Sequence, residues 1–213
     1  MIPLFHDFTD ETVLVFGGGR VGARKARRFA REARTVVVSP EFADADFGDA
    51  ELVRAAPTPG DAGEFVADLR PALVVAATDD PAVNDAAESA AREVGSLVNR
   101  ADRAGGRDAG SVVVPATVRE DPVVAALATG GTAPALSRYL RERLEDELAD
   151  AGAMAELVAE LRAELKATDV PEADRHEAIR AVVESPKVWK GLQDGTANAL
   201  QEAERVMQEV LDD

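Results

Sequence analysis

Cysteine is absent from the 213 residues. Disulfides, iron–sulfur clusters and cysteine-ligated zinc are therefore excluded, and a reducing or redox-indifferent cytoplasm suits the chain. The two histidines, His6 and His176, lie far apart and belong to no ligand-spaced cluster, so no resident metal is expected. Aromatics are few: seven Phe, one Tyr and one Trp. The core must then rest on Ala, Val and Leu, with Trp189 expected as an anchor in the acidic C-terminal third. No apolar run approaches the roughly 18 residues of a membrane span, and no charged-then-apolar leader opens the chain. A soluble, cytoplasmic protein without membrane contact is expected.

Lysine is scarce as well, four against 20 arginines, within a net charge of −16. Residues 142–213 hold 19 acids and eight bases, whereas residues 1–141 hold 21 acids and 16 bases. The C-terminal third is thus the acidic part. An acidic, lysine-poor, aromatic-poor chain fits a salt-rich, halophilic cytoplasm, where charge maintains solubility and screening limits self-repulsion. Nucleic acid is not an expected partner, because the one basic helix lacks interleaved aromatics and the remaining surface repels phosphate.

What is present is an alternation of strands and helices. Thr12–Phe16 reads as a buried strand, Val21–Glu32 as a helix and Thr35–Pro40 as a second strand. Leu52–Ala56 is a weaker third strand, Pro71–Asp80 a strong fourth and Gly95–Arg100 a fifth, with a helix over about Pro81–Val94. Such alternation implies a parallel sheet covered on both faces. The pattern then changes: SVVVPATV and DPVVAALAT are consecutive strand-like runs without a helix between them. A helix starts at Pro134 and runs to about Leu148, and the remainder reads as helices interrupted near Val170–Pro171 and Ser185–Pro186. The expected organisation is an α/β Rossmann-type parallel-sheet domain over residues 1–110, a small α+β region over 111–149 and a helical C-terminal domain over 150–213.

Gly17, Gly19 and Gly22 form G-x-G-x-x-G between the first strand and the first helix, a dinucleotide-binding context. The first glycine permits a tight turn, the second lets the backbone approach a pyrophosphate, and the third lets helix and strand pack. Gly18, Arg20 and Val21 complete the loop. The second strand ends in Ser39-Pro40-Glu41, with no base before Arg54 to receive a 2′-phosphate, so NAD is favoured over NADP. Beyond the fourth strand, Thr78 and Asp79 are candidates to line the nucleotide site, and Asp80, directly before Pro81, reads as a helix cap.

Seven cations stand between Val13 and Arg34 against the single acid Glu32. Cations in a first helical turn oppose the helix dipole. Two readings are open. Arg24, Arg27, Arg28 and Arg31 form a solvated face, or a second, strongly anionic ligand lies against the nucleotide near Arg20 and Arg24.

Six segments in order resemble the precorrin-2 dehydrogenase / sirohydrochlorin ferrochelatase family, the siroheme-synthase type of Rossmann protein. They are the lead-in strand IPLFHDF, the loop VFGGGRVGARKA, VVVSPE, LVVAATDDPAVN, LVNRAD, and VVVPATV followed by LATGGTAPALSRYLRERLE. The resemblance covers about Ile2 to Leu148. It implies NAD-dependent dehydrogenation of precorrin-2 to sirohydrochlorin, with Fe²⁺ open as a second substrate because some members also insert iron. It also implies a homodimer through the 111–149 region. The tetrapyrrole carries eight carboxylates, for which Arg24, Arg100, Arg103 and Arg107 are candidate partners together with Arg20. Asn99 falls in the nucleotide set by the same resemblance.

The resemblance places the general base at Asp102, the last residue of Asn-x-x-Asp. The plainer alternative is a loop aspartate capping a turn. Thr129 and Gly130, before the Pro134 helix, are candidates for substrate contact or for packing within the 111–149 region, and Thr132 is expected to cap that helix. A competing reading keeps the fold without the chemistry, as an NAD-binding sensor or scaffold. A generic oxidoreductase of a small substrate is the third, and it leaves the arginines unexplained.

Overall fold

The computed structural model describes residues 2–103 and 111–212, and Arg107 lies outside the described residues. The chain divides into two compact units, residues 1–114 and 115–213.

The first unit is built on five parallel strands in the order β3-β2-β1-β4-β5: β1 Thr12–Phe16, β2 Arg34–Ser39, β3 Glu51–Arg54, β4 Leu73–Ala76 and β5 Leu97–Arg100. Side chains alternate across a strand, so β1 feeds two cores at once. Leu14 and Phe16 join Val36, Val38, Val74 and Val98 on one face, beneath α2 (Pro59–Leu69) and α3 (Pro81–Val94). Val13 and Val15 join Val37, Leu73 and Val75 on the other, beneath α1 (Arg20–Phe29), which presents Ala23 and Ala26. Burial on both faces is why these strands read as unbroken apolar runs. Each such valine or leucine contributes about 1.5–3 kcal/mol. The doubly wound α/β architecture expected from the alternation is the one formed.

Several boundaries differ for identifiable reasons. The opening segment IPLFHDF is not a strand: Ile2, Leu4 and Phe5 are exposed, while Phe8 packs edge-on to Phe29 and its ring centroid lies 4.3 Å from that of His6. The first helix stops at Phe29 and not at Glu32, because the N–H groups of Glu32 and Ala33 both turn back to the Phe29 carbonyl before β2 begins. SVVVPATV is not one strand. Pro115 carries no N–H for a ladder, so β6 starts only after it, at Ala116–Glu120.

In the second unit β6 pairs antiparallel with β7 (Val123–Leu127), and α4 (Pro134–Glu147) follows. Four helices complete it: α5 Ala151–Lys166, α6 Glu172–Glu184, α7 Pro186–Asp194 and α8 Thr196–Leu211. Their core includes Met154, Leu157, Leu161, Ala178, Val182, Val188 and Ala203, with Trp189 packed against it and donating its indole N–H to the Val183 carbonyl at 2.8 Å. The breaks at Pro171 and Pro186 fall where expected. The break at Gly195 has no proline signal. It follows a close crossing in which a Cβ on Gly191 would stand 2.8 Å from Ala199 Cα.

Candidate active site

The glycine loop leaves β1 with Gly17 at φ +113°, where a side chain would be strained and its Cβ would stand 2.4 Å from the Ala77 carbonyl oxygen. At Gly22 a Cβ would lie 1.9 Å from the Gly17 carbonyl oxygen, so the helix packs onto the loop only as glycine. Gly19 differs: nothing lies within 4 Å of where its Cβ would be. Its side is open. The first intrahelical bond runs from Ala23 N–H to the Gly19 carbonyl. Neither a side-chain cap nor a first-turn acid satisfies the N–H groups before it. An open backbone approach ahead of unpaired N–H groups fits a dinucleotide pyrophosphate.

A cavity of about 730 Å³ extends from this loop over the carboxyl ends of β2 and β4. Gly17, Gly18, Gly19, Arg20 and Val21 line it on one side, Ser39, Pro40 and Glu41 on a second, and Thr78 and Asp79 on a third. The expected nucleotide residues thus meet in one place, with two exceptions. Gly22 lies beneath the loop as a packing residue. Asn99 is buried on β5, donates to the Val112 carbonyl at 2.8 Å, and does not line the cavity.

The fold also brings in residues that spacing did not suggest. Phe42 lines the cavity. Arg54, 14 residues after Pro40, pairs in register with Ser39 across β2 and β3. Its guanidinium donates to the Pro40 carbonyl at 2.9 Å and lies 5.5 Å over the Phe42 ring. The end of β2 therefore has a cation nearby after all, held against the backbone and the ring.

The turn from β4 into α3 is fixed by Asp80 and Asn84. Asp80 caps the helix as expected, accepting from the Ala82 N–H at 2.8 Å. Asn84, 1% exposed, clasps Thr78: its Oδ1 accepts from the Thr78 N–H at 3.1 Å and its Nδ2 donates to the Thr78 carbonyl at 2.9 Å.

Asp102 stands just beyond β5. Arg100 grips it through a two-pronged contact, Nε to Oδ1 at 2.9 Å and Nη2 to Oδ2 at 2.7 Å. These hydrogen bonds hold the Asp102 carboxyl below its usual acidity range, partial burial opposes the shift, and the nearby Arg100 charge and the Asn84 amide reinforce it. In return Arg100 is held still more firmly protonated. Arg100 also donates to Asp85 at 2.7 Å and to Glu88 at 2.6 Å, and its side chain is only 6% exposed. Glu88 accepts from Arg92 as well, and Arg103 donates to Asp85 at 2.8 Å. Four of the five Arg100 N–H groups are thus committed to carboxylates of this chain. That corrects its expected place among the substrate-facing arginines: it orients Asp102. Arg103 is half exposed, so it can contact solvent as well as Asp85.

Arg20 is exposed on the cavity wall, and Arg24 is exposed one turn further along α1 without lining it. Arg27 is exposed and pairs with Asp46 at 3.5 Å, as a solvated face would. Thr129 and Gly130 belong to the second unit, where Thr129 Oγ1 contacts the Ala133 carbonyl and Ser137 Oγ. Thr132 is not the cap of α4: its hydroxyl turns back to the Thr129 carbonyl at 3.1 Å, and the N-cap position is Ala133.

The residues that spacing overlooked, Asn84, Asp85 and Glu88, do leave a signal. Asn84, Glu88 and Arg92 recur every four residues along α3, and the first two are buried. A polar stripe on the inward face of a helix is an anomaly that requires partners.

A family described as "Putative NAD(P)-binding" matches residues 4–116. A precorrin-2 dehydrogenase of Methanosarcina barkeri (strain Fusaro / DSM 804) is 31% identical over 217 residues, covering 99% of this chain and 95% of that protein. A siroheme synthase of Stutzerimonas stutzeri (strain A1501) is 37% identical over 150 residues, covering 68% of this chain and 30% of that protein. The chain thus corresponds to less than a third of the siroheme synthase. The solved structure of SirC, precorrin-2 dehydrogenase, superposes with a TM-score of 0.65 at 20% identity, covering 99% of this chain and 98% of that one, and shares the fold. With a putative NAD(P)-binding segment at its amino end and near-complete correspondence to a relative at this identity, the chain belongs to the precorrin-2 dehydrogenase family.

Proposed function

We propose that this protein dehydrogenates precorrin-2 to sirohydrochlorin with NAD as cofactor. The observation that carries the reading is the whole-length match to a precorrin-2 dehydrogenase, combined with an ionised carboxylate at Asp102 tied through Asn84 to a turn of the nucleotide cavity. Gly17–Val21 would hold the pyrophosphate, Ser39–Glu41 the adenosine ribose, and Thr78 and Asp79 the nicotinamide end. NAD, when bound, supplies a hydride acceptor.

The chain's own part is proton handling and orientation. Dehydrogenation removes one hydride and one proton, and Asp102 accepts the proton at a carboxylate oxygen. Arg100 keeps that carboxylate charged and aimed. Arg20, Arg24, Arg103 and Arg107 are assigned to substrate carboxylates, with Thr129 and Gly130 as further contacts. Insertion of Fe²⁺ into the product releases two pyrrole protons, which the same Asp102 would take.

The β6–β7 hairpin and α4, within the region 111–149 that in sequence follows the nucleotide domain (1–110) and precedes the helical domain (150–213), form the proposed homodimer contact. What supports this is exposed apolar surface on α4. No residue of α4 is buried, and Leu136 and Tyr139 are 48% and 58% exposed. The proposed location is the cytoplasm. Among the described residues, no helix is long and apolar enough to cross a membrane.

The test is to mix the purified protein with precorrin-2 and NAD and follow NADH formation at 340 nm, with and without Fe²⁺. Sirohydrochlorin and stoichiometric NADH are expected. NAD binding without turnover would favour the sensor reading.

A further inference from the structure

The reaction above uses none of the cations between α5 and α6. Residues 142–213 carry 19 acids and eight bases, so an arginine on this surface has carboxylates in surplus to choose from. Four of those eight bases instead converge on one cavity of about 490 Å³: Arg162 and Lys166 from α5, Arg175 and Arg180 from α6. Glu172 is the one acid in its lining, and His176 adds a further nitrogen. Arg180 reaches Glu177 at 3.7 Å, while Arg162, Lys166 and Arg175 form no ion pair within 4 Å among the described residues. Gathering like charges costs energy that interspersed acids would have relieved. The volume lies within the roughly 300–1,000 Å³ of small-molecule pockets.

We propose that this cavity is a binding site for a small polycarboxylate, separate from the nucleotide cavity and independent of the reading given for it. The donors are side chains, and guanidinium forks match carboxylates through paired hydrogen bonds. A phosphate would draw on a helix N-terminus, but the first turn of α6 already carries Glu172 and Asp174. Leu165 and Ile179 provide apolar wall for a carbon skeleton. In molar salt, where screening acts within about 3 Å, only several simultaneous contacts would retain an anion there.

The experiment titrates citrate into the full-length protein and reads the arginine Nε–H resonances. Acetate at matched ionic strength and inorganic phosphate serve as comparison arms. Saturable shifts at Arg162 and Arg175 with citrate are expected, with weaker or no saturation by phosphate. In the double variant Arg162→Gln/Arg175→Gln the citrate affinity should fall tenfold or more, while NAD affinity, reporting an intact fold, stays unchanged. The proposal is overturned if citrate does not saturate, if acetate reproduces the shifts, if phosphate binds more tightly, or if the double variant loses less than tenfold.

Discussion

A carboxylate that accepts protons must be ionised when its substrate arrives, and position 102 meets that requirement through a guanidinium two residues away. The fork from Arg100 lowers the Asp102 pKa, so this carboxylate, the proposed base, is charged throughout the neutral range. Its folded-state pKa being depressed, the pairing also stabilises the fold above the ordinary carboxylate value and ceases to do so as pH falls through the depressed one. Replacing Asp102 with Asn should lower kcat by about 10²–10⁴-fold, the usual contribution of a positioned base. NAD affinity measured by calorimetry should stay within twofold. Arg100→Gln removes the main cause of the depression. The acid limb of its kcat/KM profile should therefore move upward, toward or beyond the ordinary value of about 4; an unmoved limb would show that Asp102 is not the group titrating. Glu41 is a second residue open to test: it lines the cavity with Ser39 and follows Pro40, whose carbonyl accepts from Arg54. Glu41→Gln should narrow the preference for NAD over NADP, read as the ratio of kcat/KM values.

Helix α3 joins the turn at Thr78, on the wall of the cavity, to the carboxylate proposed as the base. Its first turn is set by Asp80, which accepts from two backbone N–H groups, and its inward polar stripe holds Thr78 through Asn84 and Arg100 through Glu88. Loss of a good N-cap costs about 0.5–2 kcal/mol. Asp80→Ala should accordingly lower stability by about 1 kcal/mol in denaturant titration. It should also raise the KM for NAD, because the Thr78 turn loses a fixed end. The parallel ladders explain why this element can do both jobs. β4 and β5 are neighbours in register, so the ends of both strands deliver their turns to the same edge of the sheet.

For the whole molecule, two units with separate cores and different charge stand in one chain. The first depends on valines buried on both faces of a sheet, the second on Leu161 and its neighbours between helices, where Leu161 is fully buried. Leu161→Ala should destabilise the second unit by about 2–5 kcal/mol, seen as an earlier unfolding transition by circular dichroism. With 19 acids against eight bases in residues 142–213, this unit should gain most from screening. Its melting temperature should rise steeply between low and molar KCl. Full folding and activity in low-salt buffer would refute the salt-rich setting inferred from composition.

Strand–helix alternation, the glycine loop and the positions of both proline-marked helix breaks were legible along the chain. Each is set by local chemistry: apolar period, freedom at positive φ, or a missing N–H. The sequence also marked Asp80, since a cap is a contiguous feature; Asp102 is singled out by a motif resemblance, and its role as base is a proposal. The partners of Arg100, by contrast, emerge from packing. Its partners Asp85 and Glu88 lie 15 and 12 residues earlier, on a helix that the β4–β5 crossover lays beside it. The same holds for Arg54 at the end of β2, which a strand register places there, and for Asn84 behind Thr78. Spacing along a chain reports which groups share an element. Which guanidinium meets a carboxylate, and which is left to face a ligand, depends on elements distant in sequence being packed side by side.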